Sequence, residues 1–246
     1  RFPMDETDVT SHQIFRQVSV LKSFQVHDYT NPAWKYPLAA LQDLQQQIGT
    51  TLGLDLTPWS KEGNNAKRKN TTLFMYTREG SPRRHWINAH QVEARLEREY
   101  DLSVVRMGPE WESLAPAQQL ALYNQQAYMI TVHGAQEANH IVNRPGTRII
   151  EIQCVNPSDP QPDFQMQQPS SKDGNTSKLA WYGPPSWYTS FTRRLGVEHF
   201  LYAESMGCGS PTASRESVHV AKQIQVNVTQ FVNFVASRFG LRPRGR

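Results

Sequence analysis

The chain has 246 residues and a mass of 28.2 kDa, enough for one large domain or for one domain and part of another. Hydrophobic residues make up 38% of the sequence, so a packed core can form and disorder of the whole chain is excluded. The net charge of +4 does not indicate a nucleic-acid-binding protein, and no apolar run approaches the roughly 20 residues of a membrane span. Two cysteines are too few for a disulfide-rich scaffold or a zinc site of four thiolates.

The first predicted element is a helix from Leu38 to Leu52, where leucine and isoleucine recur at helical spacing. A polar and basic linker follows at 61–70. Beyond it, short apolar runs alternate with segments of helical spacing. The apolar runs predict strands at 72–77, 102–107, 128–132 and 148–152, and the segments between them predict helices at 88–100, at 116–125 and after His133. This alternation is typical of a doubly wound parallel α/β sheet.

The last third of the chain interrupts the alternation. Residues 154–186 are rich in proline, serine, glutamine and aspartate, which predicts a long surface loop. A helix at 187–195, a strand at 199–203 and a helix at 228–239 are predicted to complete the fold.

Three sequons point weakly to a secretory compartment. Asn70, Asn175 and Asn227 each stand in an Asn-x-Ser/Thr sequence, the acceptor pattern for N-glycosylation. Cys154 and Cys208 either form one disulfide bridge in an oxidising lumen or are two buried free thiols, and the sequence leaves both readings open. The chain begins at Arg1-Phe2-Pro3 without an initiator methionine or a signal peptide, so we expect a fragment or a processed product.

The residues that follow the predicted strands carry the candidate chemistry, because ligands of doubly wound sheets bind at the carboxyl ends of the strands. Arg78 and Arg84 follow the first strand, His133-Gly134-Ala135 follows the third, and Glu151 lies near the end of the fourth. Guanidinium groups match phosphate oxygens, a glycine turn lets backbone N–H groups approach an anion, and a carboxylate accepts hydrogen bonds from a ribose. Together they suit a nucleotide diphosphate. The alternative is that the arginines are loop charges and that the histidine and glutamate are structural.

Several common sites are excluded. The sequence contains no G-x-G-x-x-G after the first strand, no P-loop, no G-x-S-x-G elbow and no H-E-x-x-H. It also lacks D-x-D, the motif with which one large class of sugar transferases holds a divalent metal. We therefore predict no metal and no other cofactor.

The stretch from Leu73 to Ile152 resembles glycosyltransferase family 61, which includes xylosyl-, arabinosyl- and N-acetylglucosaminyl-transferases of the eukaryotic secretory pathway. The matching motifs, in order, are Arg78 and Arg84 shortly before Asn88, Gln119 fourteen residues before His133-Gly134-Ala135, and Pro145-Gly146 before the strand that contains Glu151. The chain departs from the family pattern at Ala89, Gln136 and Glu137, and these departures bear on the sugar preference.

The resemblance implies a GT-B architecture of two Rossmann-like domains. Residues 70–246 are then the C-terminal domain that binds the nucleotide-sugar, and residues 1–69 are a linker and the remnant of a truncated N-terminal, acceptor-side domain. It also implies an inverting hexosyl- or pentosyltransferase that moves a sugar from a UDP-sugar to a hydroxyl of a glycan or glycoprotein. Such an enzyme works in the lumen of the Golgi or endoplasmic reticulum and is held to the membrane only by an anchor outside this chain.

The resemblance also implies roles for single residues. Arg78 and Arg84 bind the diphosphate, and His133, Gly134 and Ala135 line the donor pocket. Asn88 and Glu151 are further donor-site residues, and no catalytic base is assigned. Two alternatives stay open: a Rossmann-like nucleotide-binding module without catalysis, and a GT-B-like sugar-nucleotide epimerase.

Overall fold

Five parallel strands form the centre of the fold. The structure is a computed structural model that describes residues 38–59, 71–154, 187–204 and 223–245. The described elements in chain order are α1 (Leu38–Leu52), β1 (Thr71–Tyr76), β2 (His85–Trp86), α2 (Ala89–Glu99), β3 (Leu102–Met107), α3 (Glu110–Ser113), α4 (Pro116–Asn124), β4 (Tyr128–Val132), a 3₁₀ helix (Ala135–Val142), β5 (Arg148–Cys154), α5 (Trp187–Arg194), β6 (Glu198–Glu204), β7 (Gln223–Ile224) and α6 (Val228–Phe239). The sheet order is β3-β1-β4-β5-β6, and β2 and β7 form a separate parallel pair.

The strand order places a topological switch point between β1 and β4. From β1 the chain crosses to β3 at one edge and then returns to β4 on the other side of β1. The connections after β1 and β4 therefore leave the sheet in opposite directions and open a crevice at the carboxyl ends of these two strands. In open α/β sheets this crevice is where ligands bind.

The sheet is buried on both faces, as its nearly continuous apolar strands require. On one face, Leu73 and Met75 of β1 share a core with residues of α2 and α6, among them Val92 and Phe231. On the other face lies a second core, whose main members are Leu41, Leu44, Ile48, Phe74, Trp111, Leu120, Tyr123, Met129, Ile149 and Phe191. The described residues thus form a helix–sheet–helix arrangement with a Rossmann-like parallel sheet.

Helix α1 packs on this sheet rather than apart from it. Leu41, Leu44 and Ile48 lie in the second core, and Gln45 Nε2 donates a hydrogen bond to the Asn143 carbonyl at 3.0 Å. Residues of α1 therefore share a core with the sheet, and the domain boundary at residue 69 stays a prediction. Residues 1–37 and the predicted linker at 61–70 lie outside the described residues.

The regular elements lie close to their predicted positions. The five strands of the sheet and helices α1, α2, α4, α5 and α6 each begin and end within two residues of the prediction. The helix expected after His133 is a 3₁₀ helix, and the sequence did not indicate β2, α3 or β7. The loop predicted at 154–186 falls outside the described residues, apart from Cys154 at the end of β5. Among the helices that the structure describes, none is long and apolar enough to cross a membrane.

Candidate functional site

Arg78 lies at the switch point, in the loop that follows β1. Its guanidinium donates three hydrogen bonds: from Nε to the Arg83 carbonyl at 3.1 Å, from Nη1 to Gln136 Oε1 at 3.2 Å and from Nη2 to Ser81 Oγ at 3.2 Å. These acceptors are all neutral. The protein therefore fixes the position of this guanidinium without neutralising its charge.

Arg84, at the end of the same loop, is half-buried and less well satisfied. Its Nε is buried and has no hydrogen-bond partner in the part of the chain that the structure describes. Burial, and then the neighbouring charge of Arg78, lower the pKa of the Arg84 guanidinium. Burial and the like charge of Arg78 both make the charged form of Arg84 less favourable. A bound anion would offset both effects by pairing with the guanidinium.

Both arginines have a backbone conformation that side chains rarely adopt. The φ angle is 53° at Arg78 and 58° at Arg84, and they are the two residues other than glycine with positive φ in the described ranges. Each such residue costs of the order of 1 kcal/mol or more, and such strain concentrates at functional sites. The two residues with positive φ are the same two arginines that the sequence predicts as ligand-binding residues. This loop is therefore a candidate binding loop.

The turn after β4 completes the crevice opposite this loop. Gly134 has no room for a side chain, because a methyl group there would overlap Arg78 Nη1 and Gln136 Oε1. Gln136 joins the two sides: its Oε1 accepts from Arg78, and its Nε2 donates to the Val132 carbonyl at the end of β4. Ala135 is exposed and begins the 3₁₀ helix. The structure therefore brings Arg78, Gly134 and Gln136 into contact.

A chain of hydrogen-bonding side chains lies beneath the turn, and we call it the histidine–glutamate chain (His133, Glu151, His199 and Thr192). Glu151, in β5, is completely buried. Its Oε1 pairs with His133 Nδ1, and its Oε2 lies 3.0 Å from His199 Nε2. On the far side, His199 Nδ1 lies 3.0 Å from Thr192 Oγ1, and the Thr192 hydroxyl donates to the Tyr188 carbonyl at 2.9 Å.

The buried carboxyl group of Glu151 is ionised because of these partners. Burial is the largest single influence on its pKa and acts to raise it. The hydrogen bonds from His133 and His199, together with their charges, outweigh burial, so the pKa of Glu151 is lowered. A negative charge is thus fixed directly below the site and holds the His133 ring through Nδ1.

A second buried pair lies beside this chain. Glu137 Oε2 is 2.8 Å from His140 Nε2, and His140 Nδ1 is 2.8 Å from Asn143 Oδ1. Ligand atoms of Glu137, Glu151 and His199 come within 4.8 Å of one another, a spacing that a metal ion could bridge. Each of these three side chains already faces a partner in the protein: His140 for Glu137, His133 for Glu151, and Glu151 for His199.

Asn88 is not part of this group. Its side chain is buried, accepts hydrogen bonds from Trp86 Nε1 at 3.0 Å and from the Val226 backbone N–H at 3.1 Å, and donates to the Val226 carbonyl at 2.8 Å. These bonds connect the start of α2 to the segment after β7. In this structure Asn88 is a structural residue.

Asn227 and Cys154 are the predicted modification residues that lie within the described ranges. Asn227 is exposed and is the N-cap of α6, where its Oδ1 accepts a hydrogen bond from the Gln230 backbone N–H at 3.1 Å. Asn70 and Asn175 lie outside the described residues. Cys154 belongs to a disulfide bond, and its predicted partner Cys208 also lies outside the described residues.

Sequence reasoning missed three residues of the site: Gln136, Thr192 and His199. Gln136 was noted only as a departure from a pattern, although its place two residues after a glycine turn at a strand end is a usable signal. His199 stands near the start of β6, beside Ile149 of β5, and Thr192 lies inside α5. Rules that search only the residues after strands do not find such positions.

The described residues form a Rossmann-like sheet with two arginines at its switch point, and neither arginine is neutralised by a bonded carboxylate among these residues, an arrangement that suits an anionic ligand. The family model for Glycosyltransferase 61 matches residues 11–150. The match covers more than half of the chain, and the protein belongs to glycosyltransferase family 61. Curated protein sequences gave no significant match. Membership of this family supports a glycosyltransferase activity and implies, in general terms, a sugar donor and a glycan acceptor.

Proposed function

We propose that the protein is an inverting glycosyltransferase that uses a UDP-sugar. The donor diphosphate binds at the crevice between β1 and β4, in what we call the diphosphate site (Arg78, Arg84, His133 and Gly134). The sugar, a hexose or a pentose, passes to a hydroxyl group of a glycan or glycoprotein. Family membership supports the transfer, and the geometry of the crevice supports the position of the donor.

The observation that carries this proposal is the unneutralised arginine pair. Arg78 is oriented by neutral acceptors, and Arg84 has a buried Nε without a partner in the described ranges. Two guanidinium groups in one crevice suit a ligand with two adjacent phosphates, because each can donate to the oxygens of one phosphate. A neutral sugar alone would leave the repulsion between the two arginines uncompensated.

The same pair supports transfer without a metal ion. When the bond to the sugar breaks, negative charge develops on the departing diphosphate, and many transferases neutralise it with a divalent cation. Here two fixed positive groups already stand at the switch point, so the protein itself can stabilise that charge. We propose no other cofactor.

The proposal extends to architecture and location. We propose a GT-B arrangement in which a second Rossmann-like domain faces the carboxyl edge of this sheet and supplies the acceptor side. We also propose that the enzyme works in the Golgi or endoplasmic reticulum lumen, with its membrane anchor outside this chain. The exposed sequon at Asn227 and the disulfide-bonded Cys154 support a lumenal environment.

The first experiment is calorimetry of the full-length protein with UDP, GDP and CMP, followed by a thermal-shift series of UDP-sugars. We expect UDP to bind more tightly than CMP, which has a single phosphate. Binding of all three at the same affinity, or of none, would contradict the proposal. The UDP-sugar that raises the melting temperature most is then used in labelled form as the donor in a transfer assay with a panel of glycan and peptide acceptors.

The transfer assay separates the two alternatives. Acceptor-dependent transfer supports the proposal. Tight UDP binding without turnover in the full-length protein would indicate a nucleotide-binding module, and conversion of the UDP-sugar without any acceptor would indicate an epimerase.

A further inference from the structure

His133 is the member of the histidine–glutamate chain that reaches the surface. Its side chain is 23% exposed, whereas the side chains of Glu151 and His199 are completely buried. Nδ1 is occupied by Glu151, and Nε2 has no hydrogen-bond partner in the ranges that the structure describes. The next residue, Gly134, packs against the Arg78 guanidinium. His133 is thus the direct chain neighbour of the glycine that contacts the Arg78 guanidinium.

The buried end of the chain fixes the ring of His133 from below. The Thr192 hydroxyl donates a hydrogen bond to the Tyr188 carbonyl, and its oxygen lies 3.0 Å from His199 Nδ1. His199 in turn directs Nε2 toward Glu151, which holds the carboxylate in line with His133. The Tyr188 ring flanks His133 with the two ring centroids 6.0 Å apart.

Charged groups of both signs lie in the elements around His133. Glu151 of β5 pairs with its Nδ1, and the Tyr188 ring of α5 flanks it. The other titratable and charged groups of these elements are Arg78 and Arg84 in the loop after β1, Tyr76 of β1, Glu137 and His140 of the 3₁₀ helix and His199 of β6. A bound diphosphate would add negative charge beside the two arginines. Added negative charge favours the protonated form of a neighbouring imidazole.

We propose that His133 becomes the third positive group of the diphosphate site by taking up a proton when the diphosphate binds. Glu151 and His199 are positioning residues that hold its ring in place. This inference rests on the proposed function and extends it, because it makes donor binding depend on pH.

A protonated His133 has a use in glycosyl transfer. The bond between the anomeric carbon and the diphosphate oxygen breaks with its electron pair on that oxygen. The acceptor oxygen forms the new bond to the anomeric carbon, and its proton passes to a base or to solvent. A fixed N–H⁺ beside the diphosphate stabilises the charge that appears on the leaving group.

The test is calorimetry of UDP binding to the full-length protein at pH 7, in two buffers with different ionisation enthalpies. The difference in apparent enthalpy between the buffers gives the number of protons taken up. UDP itself titrates near this pH, so the informative quantity is wild type minus His133→Gln, in which the contribution of UDP cancels. The matched control is His90→Gln, which changes an exposed histidine of α2 outside the site.

We expect wild type and His90→Gln to take up more protons than His133→Gln, by up to one per UDP. The UDP affinity of wild type relative to His133→Gln should fall as the pH rises from 6 to 8, by up to about tenfold per pH unit for one linked proton. Glu151→Gln should reduce both effects, which a purely structural role would not do. Equal proton counts in wild type and His133→Gln, with UDP still bound, would overturn this inference and leave the proposed function intact. Failure of wild type to bind UDP would overturn both.

A second measurement uses the wild-type protein, and variants are needed only to assign the histidine signals. Nitrogen NMR of ¹⁵N-histidine-labelled wild type reports which ring nitrogens carry protons. We expect His133 to carry its proton on Nδ1 in the free protein and on both nitrogens in the UDP complex. A ring protonated only on Nε2 in the free protein, or unchanged by UDP, would refute the proposed role.

Discussion

Replacing Arg84 with methionine should separate stability from donor binding. Met keeps an apolar stem of similar length but removes the guanidinium, whose buried Nε has no partner within the described residues and which lies near Arg78. An unsatisfied buried donor costs about 1–3 kcal/mol, and we take the lower end because Arg84 is only half-buried. The free energy of unfolding of the ligand-free protein should therefore be unchanged or rise by about 1 kcal/mol, which raises the melting temperature by roughly 2–4 °C.

The same substitution should weaken UDP binding. A hydrogen bond to a charged group contributes about 1.5–3 kcal/mol, which corresponds to a loss of about 10- to 150-fold in affinity. Arg83→Met is the matched control, because Arg83 is the adjacent arginine, is exposed and contributes only its backbone to the hydrogen bonds of the loop. It should leave the melting temperature unchanged and the UDP affinity within about threefold.

The assays are thermal unfolding without ligand and calorimetry with UDP, on the full-length protein and both variants. A gain or no change in stability combined with a loss of affinity, seen in Arg84→Met alone, is the expected pattern. If Arg84→Met instead lowered the unfolding free energy by about 2 kcal/mol or more and left UDP affinity intact, Arg84 would be a structural residue. Equal losses of affinity in both variants would show that only the total charge of the loop matters.

Four further predictions follow from other parts of the structure. Gly134→Ala should weaken UDP binding, because its methyl group would displace the Arg78 guanidinium and the Gln136 amide. Gly53→Ala, at a glycine with open space but with a positive φ angle, should cost stability and leave UDP affinity unchanged. Normal UDP binding by Gly134→Ala would show that the diphosphate does not bind in this crevice. Glu151→Gln should flatten the loss of stability at low pH: the folded-state pKa of Glu151 is lowered, so its contribution is complete above about pH 5 and is lost as the pH falls further. Urea unfolding between pH 3 and 7 measures this dependence, with Glu112→Gln, at an exposed residue, as the control. If the unfolding free energy of Glu151→Gln fell as steeply toward low pH as that of Glu112→Gln, the prediction would be wrong. Asn227→Ala should lower the unfolding free energy by about 1 kcal/mol through loss of the α6 cap, whereas Asn233→Ala, exposed in the middle of the same helix, should not. Glycosyl transfer should continue in excess EDTA. If EDTA abolished transfer and manganese restored it, the arginine pair would not be sufficient to stabilise the departing diphosphate.

The sequence predicted the sheet well because its strands are short apolar runs separated by helical spacing. The runs at 102–107 and 128–132 gave the observed bounds of β3 and β4. The two-residue strands β2 and β7 could not be predicted, since each is defined by its pairing with a segment more than 130 residues away. The packing of α1 on the sheet was likewise hidden, because helical spacing shows an apolar face but not what covers it.

Some features of the candidate site can also be predicted from local sequence patterns, and others cannot. Arg78, Arg84, His133 and Gly134 are predicted because parallel strands end at one edge of the sheet, where residues after neighbouring strands meet, and the structure places Arg78 in contact with Gly134. Asn88 was selected for its position near a helix start, but its amide is used up by the Val226 backbone, a contact that no local pattern indicates. Glu151 is predicted from its strand, but its pairing with His133 and His199, and the contact of His199 with Thr192, could not be predicted because packing alone brings these residues together.

The most direct test of the central claim is a crystal structure of the full-length protein with UDP. We expect the diphosphate between the ends of β1 and β4, with phosphate oxygens within hydrogen-bonding distance of the Arg78 and Arg84 guanidinium groups and the positive φ angles of both residues retained. UDP bound elsewhere, or in this crevice with both guanidinium groups turned away from the phosphates, would contradict the assignment of this site as the donor site.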